Sequence, residues 1–288
     1  MTPVDLSVVI PTLGREMLKD CLRALAMANM RPATVIVVDQ GRVDAIARLA
    51  AEFGQAGLDV QYVPSERTGR SAGLNDGISR VRTRFLAITD DDCVPAKDWV
   101  ATAAVLLGRE PGTIMTGRVE AGEGTIQLSV ATDMTPVVQW QPRLTYDRLS
   151  GGNMAIATEV ARRIGPFAED ACLRTAEDAE YAYRALRAGV PIRYAPDLVV
   201  SHRGWRNEVE RLEQYRSYAM SHGGFYGKYL RRGDAFIGMR AAVHWLRSLR
   251  RWVVGTLTSE SERSRFGRAY ALGLLPGIIA GWRSAGRN

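Results

Sequence analysis

Short apolar runs punctuate the first third of the chain: "LSVVIPT" (6–12), "ATVIVVD" (33–39), "LDVQYV" (58–63) and "RFLAIT" (84–89). Their length and content of β-branched residues predict strands. Between them, segments rich in Ala and Leu at about 16–29, 42–54 and 72–81 predict helices. Strands that alternate with helices imply a parallel sheet with helical crossovers. Ligands of such sheets bind beyond the carboxyl ends of the strands, so Thr12, Asp39 and Asp90 are expected to face one crevice. Further along, "NMAIA" (153–157) predicts a strand after a glycine turn, and "TAEDAEYAYRALRAG" (175–189) a helix with Thr175 at its N-cap and Gly189 as its stop. The apolar run "APDLVVSH" ends on His202.

The last 86 residues have a different pattern. "AAVHWLRSLRRWVVGTL" sets Trp245, Leu249, Trp252 and Val253 at helical spacing with Arg247, Arg250 and Arg251 interleaved. "AYALGLLPGIIAGW" (269–282) is uncharged but broken by Pro276 and several glycines, and it falls short of the about 20 residues that span a bilayer. The charge changes in the same place. Residues 203–288 hold 16 Lys/Arg against 6 Asp/Glu, whereas residues 1–202 hold 22 against 25. A basic, Trp-bearing amphipathic surface suits the headgroup region of an anionic membrane; it equally suits a protein partner or simple packing on the rest of the chain. Nucleic acid is disfavoured, because no reading motif accompanies the charge.

Composition adds little beyond this. The 288 residues, 46% hydrophobic and 24% charged, suffice for one large core or a domain with an appendage. The three cysteines, Cys21, Cys93 and Cys172, are odd in number and contain no Cys-x-x-Cys pair. That argues against a disulfide framework or a structural zinc site and for a reducing compartment. With no basic, apolar leader ahead of "VDLSVVIPT", a cytoplasmic location is expected, with a peripheral position on the inner face of the membrane as its variant. A G-x-G-x-x-G after the first strand and a G-x-x-x-x-G-K-[ST] are both missing, which argues against an ordinary dinucleotide-binding domain or P-loop ATPase.

The chemistry centres on "FLAITDDDCVP" (85–95), where a strand ends in Asp90, Asp91 and Asp92. Adjacent carboxylates repel and are costly beside an apolar core unless a cation neutralises them. Either they cap a helix beginning near Pro95 or they serve a metal.

Six segments in order, "VVIPTLGR", "VIVVDQG", "GRSAGLNDGI", "FLAITDDDCVP", "LSGGNMAI" and "TAEDAEYAYRALRAGVPIRYAPDLVVSH", resemble the family 2 glycosyltransferases over about residues 5–202. The resemblance implies an α/β fold of GT-A type, a Rossmann-like mostly parallel sheet flanked by helices, with a C-terminal helical appendage. Its expected division is a catalytic domain at 1–202, with a nucleotide-binding half at about 1–95 and an acceptor half at 96–202, followed by a basic helical region at 203–288.

It further implies that Asp90 and Asp92 end a D-x-D motif holding Mn²⁺ or Mg²⁺, with His202 as a further ligand. Pro11, Thr12, Arg15 and Asp39 match nucleotide-contacting positions, with Asp39 at the base; Arg70, Asn75, Asp90 and Asp91 are the remaining donor candidates. Relatives commonly read A-R-N where this chain has Gly73, Leu74 and Asn75, so an arginine contact is lost there or supplied by Arg70. Gly151, Gly152, Asn153 and Trp140 are candidates for the sugar or acceptor, and residues 120–150, which also hold Arg143 and Tyr146, for an acceptor loop. Glu177 and Asp178 match the family's E-D pair, Glu177 toward the acceptor and Asp178 as general base.

The expected reaction is an inverting, non-processive transfer of one hexosyl or deoxyhexosyl group from a nucleotide-diphosphate sugar to a hydroxyl of a glycan, lipid-linked or small acceptor. No Q-x-x-R-W motif of the processive synthases is present. A catalytically silent scaffold or membrane partner is the alternative, and a sugar-1-phosphate nucleotidyltransferase is a second one.

Overall fold

The computed structural model describes residues 3–124, 130–204 and 208–286, the side chains of 123, 124 and 208 excepted. Its elements run β1 (Val4–Thr12), α1 (Leu18–Ala26), β2 (Pro32–Asp39), α2 (Asp44–Gln55), β3 (Val60–Pro64), α3 (Arg70–Ile78), β4 (Phe85–Thr89), β5 (Cys93–Pro95), α4 (Trp99–Arg109) and β6 (Ile114–Gly124). There follow β7 (Val137–Gln139), β8 (Asn153–Ala157), α5 (Thr158–Ile164), α6 (Glu177–Arg187), β9 (Ile192–Gly204), α7 (Glu208–Leu230), α8 (Ala235–Leu257) and α9 (Ser261–Ser284). The chain divides into two compact units. One contains residues 1–141, 148–167 and 184–205, the other 142–147, 168–183 and 206–288.

The first unit is built on a sheet ordered β3-β2-β1-β4-β8-β6-β9-β5, with β7 on β9. Its N-terminal half is parallel throughout, as the alternating pattern predicts. Beyond β4 it is mixed: β8 is antiparallel to both neighbours, β6 is parallel to β9, and β5 is antiparallel to β9. In β1, β4 and β8 the side chains of both faces are buried, which is why their sequences are continuous apolar runs rather than alternating ones. Glycines in α3 allow it to lie close on the sheet. A Cβ at Gly77 would sit within van der Waals overlap of Val9, so "GLNDGI" packs with its backbone where a larger residue would stand off.

Two local expectations need correction. Pro95 ends the short strand β5, and α4 starts only at Trp99 after Asp98, so the acidic triplet caps no helix. Residues 120–150, expected as a loop, include the end of β6 and all of β7; 125–129 lie outside the described residues.

The second unit is helical, with α7, α8 and α9 around an aromatic core of Tyr183, Phe225, Tyr226 and Tyr270. The seam between α7 and α9 is made of glycines. A Cβ on Gly223 or Gly227 would overlap carbonyl oxygens of Leu274 or Ile278, and one on Gly277 or Gly281 those of Met220 or Gly224. Backbone therefore meets backbone. This seam explains the glycines of "AYALGLLPGIIAGW" better than a helix break does, and α9 runs unbroken through Pro276.

On α8 the buried face is offset from the apolar positions Trp245, Leu249, Trp252 and Val253. Ile237, Arg240, Ala241, His244 and Ser248 are buried, Trp245, Leu249 and Trp252 are half-buried, and Val253 is on the outside. The reason is a polar partner set that periodicity cannot register. Arg240 is sequestered against Asp147 at 2.8 Å, donates to the carbonyl of Arg143 and lies over the ring of Tyr183. Charge that is paired and hydrogen-bonded can occupy core positions.

Candidate active site

In the first unit the polar ends of β1, β2 and β4 meet, as expected for the carboxyl edge of a parallel sheet. The acidic triplet follows β4, and each carboxylate has a different partner. Asp91 turns inward, where its carboxylate accepts from the Thr12 hydroxyl at 2.6 Å and from Arg15 at 2.9 Å. Burial pushes its carboxyl above the usual carboxylate range, while Arg15 and the Thr12 hydrogen bond pull it down. Asp90 takes Arg70, whose Nε and Nη2 both lie 2.8 Å from Oδ1. Asp92 lies 3.5 Å from Arg15 and, through its other oxygen, 3.3 Å from His202 Nε2. Two guanidinium groups thus supply cations to the triplet.

Sheet register makes the Asp92 and His202 pairing. Antiparallel β5 and β9 set Cys93 opposite His202, and the backbone N–H of Arg203 donates to the Asp92 carbonyl at 2.9 Å. The ligand-capable atoms of Asp92, Cys93 and His202 lie within 4.8 Å of one another. Asp90 is outside this group, beside Arg70. The carboxylate suits Mn²⁺ or Mg²⁺, and a neutral imidazole can join it around Mn²⁺. Burial, reinforced by the charges of Asp90 and Asp92, pushes the Cys93 thiol well up. Nothing in the sequence pattern marks Cys93 except that it follows the triplet. Its proximity to His202 depends on pairing across more than 100 residues.

Gly152 brings backbone close to the triplet, since a Cβ there would be 2.7 Å from Asp90 Oδ2 and 3.2 Å from Cys93 Sγ. Gly151 is half-buried in the same turn. Pro11 is buried within β1, in register with Val38.

Three predicted site residues have their side chains engaged by the fold. Asp39 accepts four hydrogen bonds, from the backbone N–H groups of Gly41, Arg42 and Val43 and from the Tyr62 hydroxyl, and so shapes the turn into α2. Asn75 exchanges two 2.9 Å bonds with the backbone of Phe167. Asn153 is fully buried; it accepts from Trp99 Nε1 and donates to the carbonyls of Arg118 and Leu198, all at 2.8 Å. Those two carbonyls flank the register shift between β6 and β9, where ladder bonds are interrupted. Leu74 is buried in the core. Trp140 is 64% exposed.

Asn153→Ala should therefore lower unfolding free energy by about 3 kcal/mol, because it strands a buried indole N–H and two carbonyls. Urea unfolding measures this, and a loss below about 1 kcal/mol would contradict it.

Glu177 and Asp178 belong to the second unit, in the first turn of α6. Glu177 is buried and Asp178 half-buried, with its Oδ1 accepting from the Ala179 N–H at 2.7 Å. Thr175 is not the cap, since its buried hydroxyl has no hydrogen-bond partner. The stop is as predicted. Gly189 has φ +76° and the N–H of Val190 returns to the Ala185 carbonyl.

The fold and the carboxylates at its strand ends define a GT-A type of α/β architecture. The chain belongs to glycosyl transferase family 2, whose description matches residues 7–164, more than half of it. Among curated relatives it is 25% identical over 205 residues to glycosyltransferase AglE of Haloferax volcanii, an alignment covering 68% of this chain and 66% of that one. It is 26% identical over 211 residues to the pre-mycofactocin glycosyltransferase of Mycobacterium tuberculosis, covering 69% of this chain and 42% of the relative. The chain thus spans less than two thirds of either relative. Among solved structures, residues 1–349 of Staphylococcus aureus TarS superpose with a TM-score of 0.60 at 16% identity, over 93% of this chain and 91% of that one. GalNAc-T7, solved with UDP, GalNAc and Mn²⁺, gives 0.58 at 17% identity over 80% of this chain and 51% of that one. At such identities these two comparisons establish the fold.

Proposed function

We propose that the protein is an inverting, non-processive glycosyltransferase that moves one sugar from a nucleotide-diphosphate donor to a hydroxyl acceptor. The observation that carries the reading is the juxtaposition of Asp92 and His202 beside Arg15 in a family 2 chain. Asp92 and His202 would hold Mn²⁺ or Mg²⁺, which supplies charge compensation for a diphosphate leaving group. Arg15, paired with Asp91 and Asp92, and Arg70, paired with Asp90, are two cations at the acidic triplet, suited to orienting donor phosphates once these displace part of the existing ion pairs. Uridine is the first base to try, since TarS was solved with UDP and with UDP-GlcNAc.

Asp178 is the proposed general base. A sugar hydroxyl is a weak nucleophile, and removing its proton during attack contributes about 10² to 10⁴-fold. One displacement at the anomeric carbon inverts its configuration. Exposed Trp140 and the Gly151 turn are proposed as acceptor contacts. A peripheral position at an anionic membrane face, by way of the basic 203–288 region, completes the reading. Among the described residues, no helix is long and apolar enough to cross a membrane.

The test is thermal unfolding with UDP, GDP, dTDP and CDP, each with and without Mn²⁺. A ligand at 100 times its Kd stabilises by about 2.7 kcal/mol. One nucleotide should give a Mn²⁺-dependent shift, and Asp92→Asn should remove the Mn²⁺ dependence. Asp178→Asn should keep that shift while slowing transfer at least about 10²-fold. Absence of any nucleotide effect would favour a scaffold role, and unchanged turnover in Asp178→Asn would remove that residue from the mechanism.

A further inference from the structure

The last two helices each carry a row of exposed apolar side chains. On α8, Met239, Leu246 and Val253 recur every seven residues and are 54%, 58% and 53% exposed; Leu257, one turn further on, is 79% exposed. At 100° per residue these four fall within a narrow stripe. Arg247, Arg250 and Arg251 stand exposed on the same helix, and α8 contains no acidic residue. The C-terminal half of α9 repeats the arrangement. Leu272, Leu275, Ile279 and Trp282 are exposed, opposite the glycine seam, with Arg268 and Arg283 exposed at the two ends of the run. Guanidinium groups also lie over the indoles of these helices, Arg268 over Trp252 at 5.7 Å and Arg231 over Trp282 at 5.9 Å.

Single exposed apolar side chains are ordinary, whereas aligned rows of them flanked by arginine on neighbouring helices mark a contact surface. We propose that these faces of α8 and α9 dock onto the headgroup layer of an anionic lipid bilayer. This deepens the membrane-facing part of the proposed function and rests on it only for the class of partner. Two observations select a lipid surface. The charge is one-sided, since residues 203–288 hold 16 Lys/Arg against 6 Asp/Glu, so a second copy meeting the same face would set arginine against arginine. The apolar rows occupy only one side of each helix, the other being buried on its neighbours, which fits a helix lying in the interface rather than one crossing it. Leu246 and Val253 would enter the acyl boundary while the arginines stay among anionic headgroups.

Sedimentation of the full chain with vesicles tests this without reference to transfer. Vesicles of phosphatidylcholine with phosphatidylglycerol should pull the protein down, those of phosphatidylcholine alone should not, and added salt should release it. Leu246→Glu with Val253→Glu should abolish binding, and Arg247→Gln, Arg250→Gln and Arg251→Gln together should weaken it at least about tenfold. Because all five side chains are exposed, and the bond of Arg251 to the Tyr215 hydroxyl is itself at the surface, the melting temperature should change little and any nucleotide-induced shift not at all, which separates this result from that of the donor test. Failure to sediment with anionic vesicles, equal binding to neutral ones, or wild-type binding by both variants would overturn the proposal. So would a concentration-dependent dimer abolished by Leu246→Glu, which would identify a second copy as the occupant.

Discussion

Gly277→Val is expected to unfold the helical unit or to lower its stability by about 5 kcal/mol. Even the first carbon of a side chain at this position would overlap the Met220 carbonyl oxygen and lie 2.9 Å from the Gly223 Cα. Both obstacles are backbone, so no rotamer change relieves them; α7 and α9 would have to separate along their whole contact. Overpacking a well-filled core typically costs about 1–3 kcal/mol, and more where the neighbour cannot move. A valine adds two methyl groups to a seam that Gly223, Gly224 and Gly281 have already closed. The comparison that isolates sterics is Gly108→Ala on α4, where a Cβ meets nothing within 4 Å and the residue is exposed. There the change should stabilise by up to about 1 kcal/mol, through the better helix propensity of alanine. Urea unfolding followed by circular dichroism distinguishes the two, and a Gly277 variant as stable as wild type would show that the helices do not make this contact.

The second large effect is acid sensitivity of the same unit. His222 and His244 sit in a cluster with Tyr146, Tyr226 and Tyr270. Nδ1 of His222 is 2.7 Å from the Tyr270 hydroxyl, Nδ1 of His244 is 2.8 Å from that of Tyr226, and the Tyr146 and His244 rings are 4.5 Å apart. Burial, aided by the charge of Arg240, lowers His222 to about 4. Burial, with His222, Arg240 and Arg247 adding to it, lowers His244 to about 3. Both rings are therefore neutral in the folded protein through the whole weakly acidic range. As pH falls below about 6.5 the unfolded chain takes up two protons that the folded chain refuses, so stability is full above that value and is lost on acidification. Between pH 6.5 and 5 the loss should be on the order of 1.5 kcal/mol per histidine, or about 3 in all. Urea midpoints across this window should fall steeply for wild type and much less for His222→Gln/His244→Gln. Equal slopes would assign the effect to other groups, since His202 is present in both proteins.

Much of the architecture was legible because it depends on neighbours in sequence. The runs that become β1 to β4 are read within a few residues of their observed limits, and so are α1 to α3, since period and propensity are local properties. The glycine after α6 was equally readable, because only a residue tolerant of positive φ fits there. A family resemblance carried by "DDDCVP" and its companion segments likewise needed only the chain itself, as did the change of charge at residue 203.

What the sequence by itself determined is thus the alternation of the first four strands with three helices, the carboxylates that end the strands, and the basic character of the C-terminal helices. The tertiary structure alone decided which partner each polar group took. Asp91 went to Thr12 and Arg15, Asp90 to Arg70, and Asp92 toward His202, while Asn153 was committed to the interior of the sheet. It also made Arg240 and His244 core residues and left Val253 outside, against their hydropathy. The physical reason is common to these cases. An element forms on the strength of a dozen adjacent residues, but the environment of a side chain depends on which distant strand or helix is packed against it, and that register is set only when the whole core closes.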